Sequence, residues 1–342
     1  MKINLFLILL FIQYSCVTKQ EKELIFTPIK KEIVSNISSQ VINSSLMMIM
    51  ARDIDIYGDY LIVRTFTDNK YLHILNKNTG EVITNLAIKG NGPNEITDMA
   101  DQIHIDKGGN LYWFDYNKKK LFGTSINSIA NSSFSIKTTN FESHFTNIDL
   151  ALPLHRGYLL SLGDKHSDQN ETQRYAVADS LNIKSIYSGF PVIKNETRRP
   201  EDVYLNYRTS QHITLSPDLS RFVTSEIYGG ILEIFHLSDS IKRNSIHPLY
   251  EAKPNELHGF VDVYATDYFI YAIKIDSNMN GSNPENRYNK IMVFNWNGEY
   301  IRTYQTDYNL LTLCVDEESR HIYAIGQDIS LNSELQVLSL KI

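Results

Sequence analysis

The chain has 342 residues, 42% hydrophobic and 21% charged, a composition that excludes intrinsic disorder and leaves material for a large core. A formal net charge of −6, with no basic run longer than Lys118-Lys119-Lys120, excludes the electrostatic footprint of a nucleic-acid binder. The two cysteines, Cys16 and Cys314, are too few for a disulfide framework.

Residues 1–15 hold one lysine followed by an apolar run, and they read as an export signal. The run from Leu5 to Ile12 is too short to cross a hydrocarbon core of about 30 Å as a helix. Ser15 directly precedes Cys16, and the pattern resembles the lipobox of bacterial lipoproteins, with Gln13 where an aliphatic residue is usual. The resemblance implies that residues 1–15 are removed and that Cys16 is acylated as the first mature residue. Two or more acyl chains then give stable anchoring in the cell envelope, on an outer-membrane leaflet facing the periplasm or the cell surface. Residues 16–23 would be the lipidated cysteine and a polar tether, and residues 24–342 one domain. Cys314, inside the apolar run Leu310-Leu311-Thr312-Leu313-Cys314-Val315, is expected to be a buried core thiol.

From Leu24 onward, period-two alternation dominates, which points to an all-β body. A strand, tight turn, strand pattern opens six units. The first, Ile54-Asp55-Ile56-Tyr57-Gly58-Asp59-Tyr60-Leu61-Ile62-Val63, is followed by two further strands; the clearest copy starts at Ile103 and the others at 148, 212, 261 and 312. Their spacing is the length of one β-propeller blade with its loops. The predicted fold is therefore a six-bladed propeller of four-stranded antiparallel blades. Each blade has two apolar faces that only its neighbours can cover, so the ring must close. Leu24-Ile25-Phe26-Thr27, with Ile33-Val34 beyond it, is the expected source of an N-terminal strand completing the last blade.

Between the first two units lies Gly90-Asn91-Gly92-Pro93-Asn94-Glu95. Glycines that permit positive φ, next to a proline that restricts its own φ, predict a rigid loop presenting Glu95 at its exit. The segment is echoed by Pro254-Asn255-Glu256-Leu257 and more loosely by Pro200-Glu201, each shortly before the first strand of a unit. A ring of carboxylates at one mouth of the channel is one reading, and repeated bracing of loops is the other. Arg199 and Glu201 fall in the longest gap between units, where an elaborated loop on the binding face is expected. The candidate binding residues are thus Gly90, Gly92, Pro93, Glu95, Arg199, Glu201 and Glu256.

Leu215-Ser216-Pro217-Asp218-Leu219-Ser220 resembles the Ser-Pro-Asp-Gly turn of TolB-type propellers, with Leu219 in place of the glycine. Pro217 would preset one turn torsion and Asp218 would accept backbone amides beyond it. With the lipobox and a Gly-x-Gly-Pro-x-Glu loop at Gly90, Gly92, Pro93 and Glu95, the mature chain is similar to the six-bladed TolB-like propeller lipoproteins of Bacteroidetes.

No metal-binding histidine spacing, nucleophile elbow or phosphate loop occurs, so neither metal nor cofactor is expected. The aromatic residues alternate with aliphatic ones, as core packing between blades requires. The sequence therefore points to a non-enzymatic binding or scaffold protein for an envelope protein or a glycan. The alternative is a lactonase-like propeller hydrolase or lyase using channel-facing carboxylates, with Ca²⁺ as a possible ion.

Overall fold

The computed structural model describes residues 29, 31–43, 45, 46, 48, 50–130, 135–141, 147–162, 173–179, 181–188, 212–225, 231–237, 241–248, 256–278, 290–329 and 334–342. The N-terminal segment contributes β1 (Val34–Asn36) and β2 (Ser39–Asn43). Blade 1 is β3 (Asp53–Tyr57), β4 (Tyr60–Thr67), β5 (Lys70–Asn76) and β6 (Val82–Ile88). Blade 2 is β7 (Met99–Ile105), β8 (Asn110–Asp115), β9 (Lys120–Ser125) and β10 (Lys137–Asn140). Blade 3 is β11 (Ile148–Leu154), β12 (Gly157–Leu162), β13 (Gln173–Ala178) and β14 (Ile183–Ser188). Blade 4 is β15 (His212–Leu215), β16 (Arg221–Ser225), β17 (Ile231–Leu237) and β18 (Ile241–Pro248). Blade 5 is β19 (Glu256–Ala265), β20 (Phe269–Asn278), β21 (Lys290–Asn295) and β22 (Tyr300–Gln305), and blade 6 is β23 (Tyr308–Asp316), β24 (His321–Asp328) and β25 (Gln336–Lys341) with β2 outermost.

The chain is thus an all-β six-bladed propeller whose last blade is completed by an N-terminal strand. The strand that does so is β2, antiparallel to β25, with Ser39 opposite Leu340 and Val41 opposite Leu338. This corrects the expected segment. Val34, at the end of that segment, belongs to β1, which pairs in parallel with β22 and adds a fifth strand to blade 5. Leu24 to Thr27 lie outside the described residues. One extended ribbon therefore crosses the rims of two blades before blade 1 begins.

The core lies between the blades, as the alternation of apolar residues requires. Tyr175 of blade 3 packs edge-on against Phe222 and Phe235 of blade 4, with ring centroids 5.1 and 5.3 Å away. The same interface encloses an ion pair, Arg174 to Glu233, at 2.6 and 3.2 Å, with both side chains buried. Cys314 is fully buried, and burial pushes its thiol well above the usual range.

The turn in blade 4 forms as its residues predict. Leu219 N–H donates to Ser216 O at 2.8 Å, and Asp218 Oδ1 accepts the Ser220 N–H at 3.1 Å. Leu219, standing where the related turns carry glycine, has φ of +57°.

Candidate functional site

Two places gather polar groups: the connector from blade 1 to blade 2, and the axis of the ring. The connector leaves β6 and returns beside it. Gly90 N–H donates to Ile96 O, and Ile96 N–H donates to Ile88 O, both at 2.9 Å. The Glu95 carboxylate folds back over the loop and accepts the Gly92 N–H at 2.7 Å.

Neither Gly90 nor Gly92 has positive φ, which corrects the expected reason for the two glycines. Their role is space. A Cβ at Gly90 would lie 2.1 Å from Glu95 Oε2, and one at Gly92 would lie 3.0 Å from the same carboxylate. Loop and carboxylate occupy one volume only because two side chains are missing.

Blade 2 fills the rest of the loop. Asp115, at the end of β8, accepts the N–H groups of Asn117 and Lys118 and so shapes the turn that follows. That turn aims Lys118 Nζ at three loop carbonyls, those of Glu95 at 2.8 Å, Gly92 at 3.0 Å and Gly90 at 3.4 Å. Lys120 Nζ donates to Pro93 O at 2.7 Å. The carbonyl cage thus holds an ammonium of the protein itself, and the side chains left pointing outward are those of Asn91, Pro93 and Asn94, all exposed.

Arg199 and Glu201 lie outside the described residues. Glu256 is not in a connector but is the first residue of β19, paired with Asn278. Its backbone therefore differs from that of Glu95, although the two tetrapeptides read alike.

The axis carries polar residues that belong to none of the sequence motifs. The innermost strands run side by side around the ring, and each has an open edge of N–H groups that no strand pairs. Carboxylates of neighbouring blades satisfy several. Asp53 Oδ2 accepts Ile103 N–H at 2.8 Å, Asp55 Oδ2 accepts Ile105 N–H at 3.1 Å, and Asp262 Oδ2 accepts Leu313 N–H at 2.8 Å. In each case Oδ1 accepts the N–H of the next residue of its own strand. Two aspartates thus tie the inner strands of blades 1 and 2 together, and one ties those of blades 5 and 6.

Gln102 follows the same rule at longer range. Its side-chain amide donates to Ile213 O at 2.8 Å and accepts Ile213 N–H at 3.2 Å, reaching from blade 2 to blade 4. Farther down the axis, Tyr264 of blade 5 donates its hydroxyl to Asp55 of blade 1 at 3.1 Å. On the side of the hairpin turns, Lys107 of blade 2 and Asp267 of blade 5, opposite members of the ring, form an ion pair at 3.0 Å. Side chains therefore cross the axis at three levels.

Burial governs the protonation of these groups. It pushes the Asp55 carboxyl up to about 7, against the donors from Ile56, Tyr264 and Ile105, and holds His104 down to about 4. His212 falls to about 3 for the same reason. Its Nδ1 lies against Asp262 Oδ1, while Nε2 is buried with no hydrogen-bond partner among the described residues. Among the described residues, no group of three or more His, Cys, Asp or Glu side chains is placed to hold one metal ion.

A signal for the axial aspartates was present in the sequence. Asp53-Ile54-Asp55-Ile56 and Val261-Asp262-Val263 put ionisable residues at alternate positions of strands that a propeller buries at its centre.

Comparisons with known proteins agree with this architecture. No curated protein matches the chain. Among solved structures, a protein of Bacteroides fragilis whose description proposes export is similar over 91% of this chain and 99% of its own, at a TM-score of 0.54 and 12% identity. A member of the DUF4221 family from Bacteroides vulgatus is similar over 91% and 97%, at a TM-score of 0.59 and 11% identity. At such identities the likeness is one of fold. A family model described as TolB-like 6-blade propeller-like matches residues 29–318, nearly all of the ring, and the chain belongs to that family of TolB-like six-bladed propellers.

Proposed function

We propose that this protein is an exported, lipid-anchored binding or scaffold protein of the cell envelope, acting without catalysis. Residues 1–15 are its signal peptide, Cys16 its lipidation site, residues 16–23 its tether and residues 24–342 its single propeller domain. The anchor sits in the outer membrane, facing the periplasm or the cell surface, and the face with the connectors between blades receives a protein or glycan partner. Glu95 sets the shape of that face, and Arg199, Glu201 and Glu256 belong to the same reading.

The observation that carries the non-catalytic part is the state of the axial carboxylates. Asp53, Asp55 and Asp262 are buried, and each spends both oxygens on backbone N–H groups of two blades. A general base or a cation ligand must face substrate or ion from an accessible position, whereas these carboxylates are buried and turned toward the edges of inner strands. These geometries favour a closing role for the carboxylates over the lactonase-like alternative. The connector leaves exposed Asn91, Pro93 and Asn94 on a braced loop, a rigid surface suited to recognition.

Photo-crosslinking in cells tests the binding face. A photoreactive residue at Asn91 or Asn94 is expected to give a discrete adduct, whereas one at Asp59, on the hairpin-turn side, gives none. Equal adducts at both sides, or none at either, would remove the connector face from the proposal. For the anchor, Cys16→Ala is expected to abolish incorporation of a clickable fatty acid and to release the protein from membranes; a variant that labels like the wild type overturns the lipoprotein reading.

A further inference from the structure

Eleven large hydrophobic side chains stay exposed among the described residues, and six of them, Ile33, Val34, Val41, Val82, Ile83 and Ile88, occupy one arc of the rim. They lie on or beside β1, β2 and β6, the outermost strands of blades 5, 6 and 1. The arc is continuous. Only two residues separate β1 from β2, and Asn43 at the end of β2 donates to the carbonyl of Gly80, two residues before Val82. A second apolar group, Leu181, Ile183 and Ile186, lies at the outer edge of blade 3, across the ring from blade 6.

The N-terminal segment joins the fold at Ile29, which packs against the core between blades 4 and 5, and runs from there into the first arc at Ile33 and Val34. From Cys16 to Ile29 the chain has 13 residues, which as a flexible segment span roughly 18–22 Å between their ends. An anchor at Cys16 therefore holds this arc near the bilayer and leaves the blade 3 edge remote. Tethering at that distance makes contact with lipid effectively intramolecular, so apolar side chains too few to bind alone suffice. In the sequence, Lys30 and Lys31 precede Glu32 and Ile33, and the Glu32 carboxylate is turned to the Thr303 hydroxyl, which leaves the two ammonium groups for headgroup phosphates.

We propose that the rim of blades 5, 6 and 1 lies against the lipid headgroup layer, so that the propeller stands on its edge with the connector face turned sideways. The inference rests on the anchor at Cys16. Edge-on docking leaves both mouths of the ring open to partners in the aqueous layer.

The mature chain, with a histidine tag replacing Cys16, can be held on phosphatidylethanolamine and phosphatidylglycerol vesicles containing a nickel-chelating lipid. An environment-sensitive dye is attached at Ile83→Cys, at Val34→Cys as an independent position on the same arc, or at Ile186→Cys on the opposite edge. Buried Cys314 does not compete for the label. The first two positions are expected to shift to the blue and to be quenched by headgroup-labelled lipid at least threefold more strongly than the third. Equal quenching at all positions, or stronger quenching at Ile186→Cys, overturns the proposal. So does a blue shift at Ile83→Cys that needs protein concentration but no vesicles, because a second copy would then cover the arc. The tag supplies the anchor here, so failure of docking is distinct from failure of acylation, which intact-mass measurement of the native protein reads separately.

Discussion

Asn43 Nδ2 donates to Gly80 O at 2.5 Å, joining the last residue of the closing strand to the hairpin turn of blade 1. The Asn43 side-chain oxygen accepts the N–H groups of Ser45 and Leu46, so one buried amide holds the turn and shapes the chain that leads into blade 1. Gly80 has φ of +71°, and a Cβ there would lie 1.8 Å from the carbonyl oxygen of Ile42.

Gly80→Ala is therefore expected to cost more than about 2 kcal/mol, because a left-handed alanine costs about 1–2 kcal/mol before the overlap with backbone is counted. Asn43→Ala should cost about 1–3 kcal/mol through its unmade hydrogen bonds. Urea denaturation measures both. A Gly80→Ala protein as stable as the wild type would show that the seam yields.

The loop between blades 1 and 2 predicts a coupling. Gly90→Ala should cost about 1–2 kcal/mol in the wild type, since the new methyl group displaces the Glu95 carboxylate. In a Glu95→Ala background the same substitution should cost little. The double-mutant cycle reads the difference, and additive effects would return the glycine to a purely backbone role.

Leu219→Gly is expected to stabilise the protein, by less than about 1 kcal/mol. Relief of the left-handed conformation outweighs the entropy that glycine adds to the unfolded chain and the partial packing that Leu219 gives up. A lower melting temperature for the variant would mean that packing dominates this turn.

The axis predicts opposing pH dependences. The folded value for Asp55, about 7, lies above that of a free carboxyl, so its contribution is fully present below about pH 4 and is lost as pH rises through 7. The value for His104, about 4, lies below that of free imidazole, so its contribution is present above about pH 6.5 and is lost as pH falls through 4. Between these limits the two slopes oppose. In His104→Phe the slope from His104 is gone while those of Asp55 and His212 remain as in the wild type, and the melting temperature of the variant relative to the wild type should rise steadily from about pH 6.5 to 4. A difference independent of pH would show that His104 titrates normally.

The blades were legible because each inner strand and its hairpin repeat an alternating pattern, and burial of that pattern forces a ring. The closing strand was not. Ser39-Gln40-Val41-Ile42-Asn43 is polar and buries fully only Asn43, so Leu24 to Thr27 looked the better strand. Gly90 and Gly92 were read as sites of positive φ, but they are glycine for another cause, since positive φ and lack of room both demand that residue. Glu256 shows the reverse hazard: a tetrapeptide like that of Glu95 lies in β19 because that strand begins ten residues before its turn. The axial aspartates were visible as charges in central strands, but the bonds they make span 50 or 51 residues, and only the closed ring brings those atoms together.

The ribbon over blades 5 and 6 also sets a timetable. Ser39 is among the first residues of the domain to be synthesised and Leu340 among the last, yet they are partners. An emerging chain can stack its blades in order but must wait for its final strand before β2 finds a neighbour. Until then β2 is an unpaired edge open to proteases and to other chains. A ribosome that stops early leaves an arc with a loose end, a form that proteolysis removes selectively because the finished ring hides what the fragment shows.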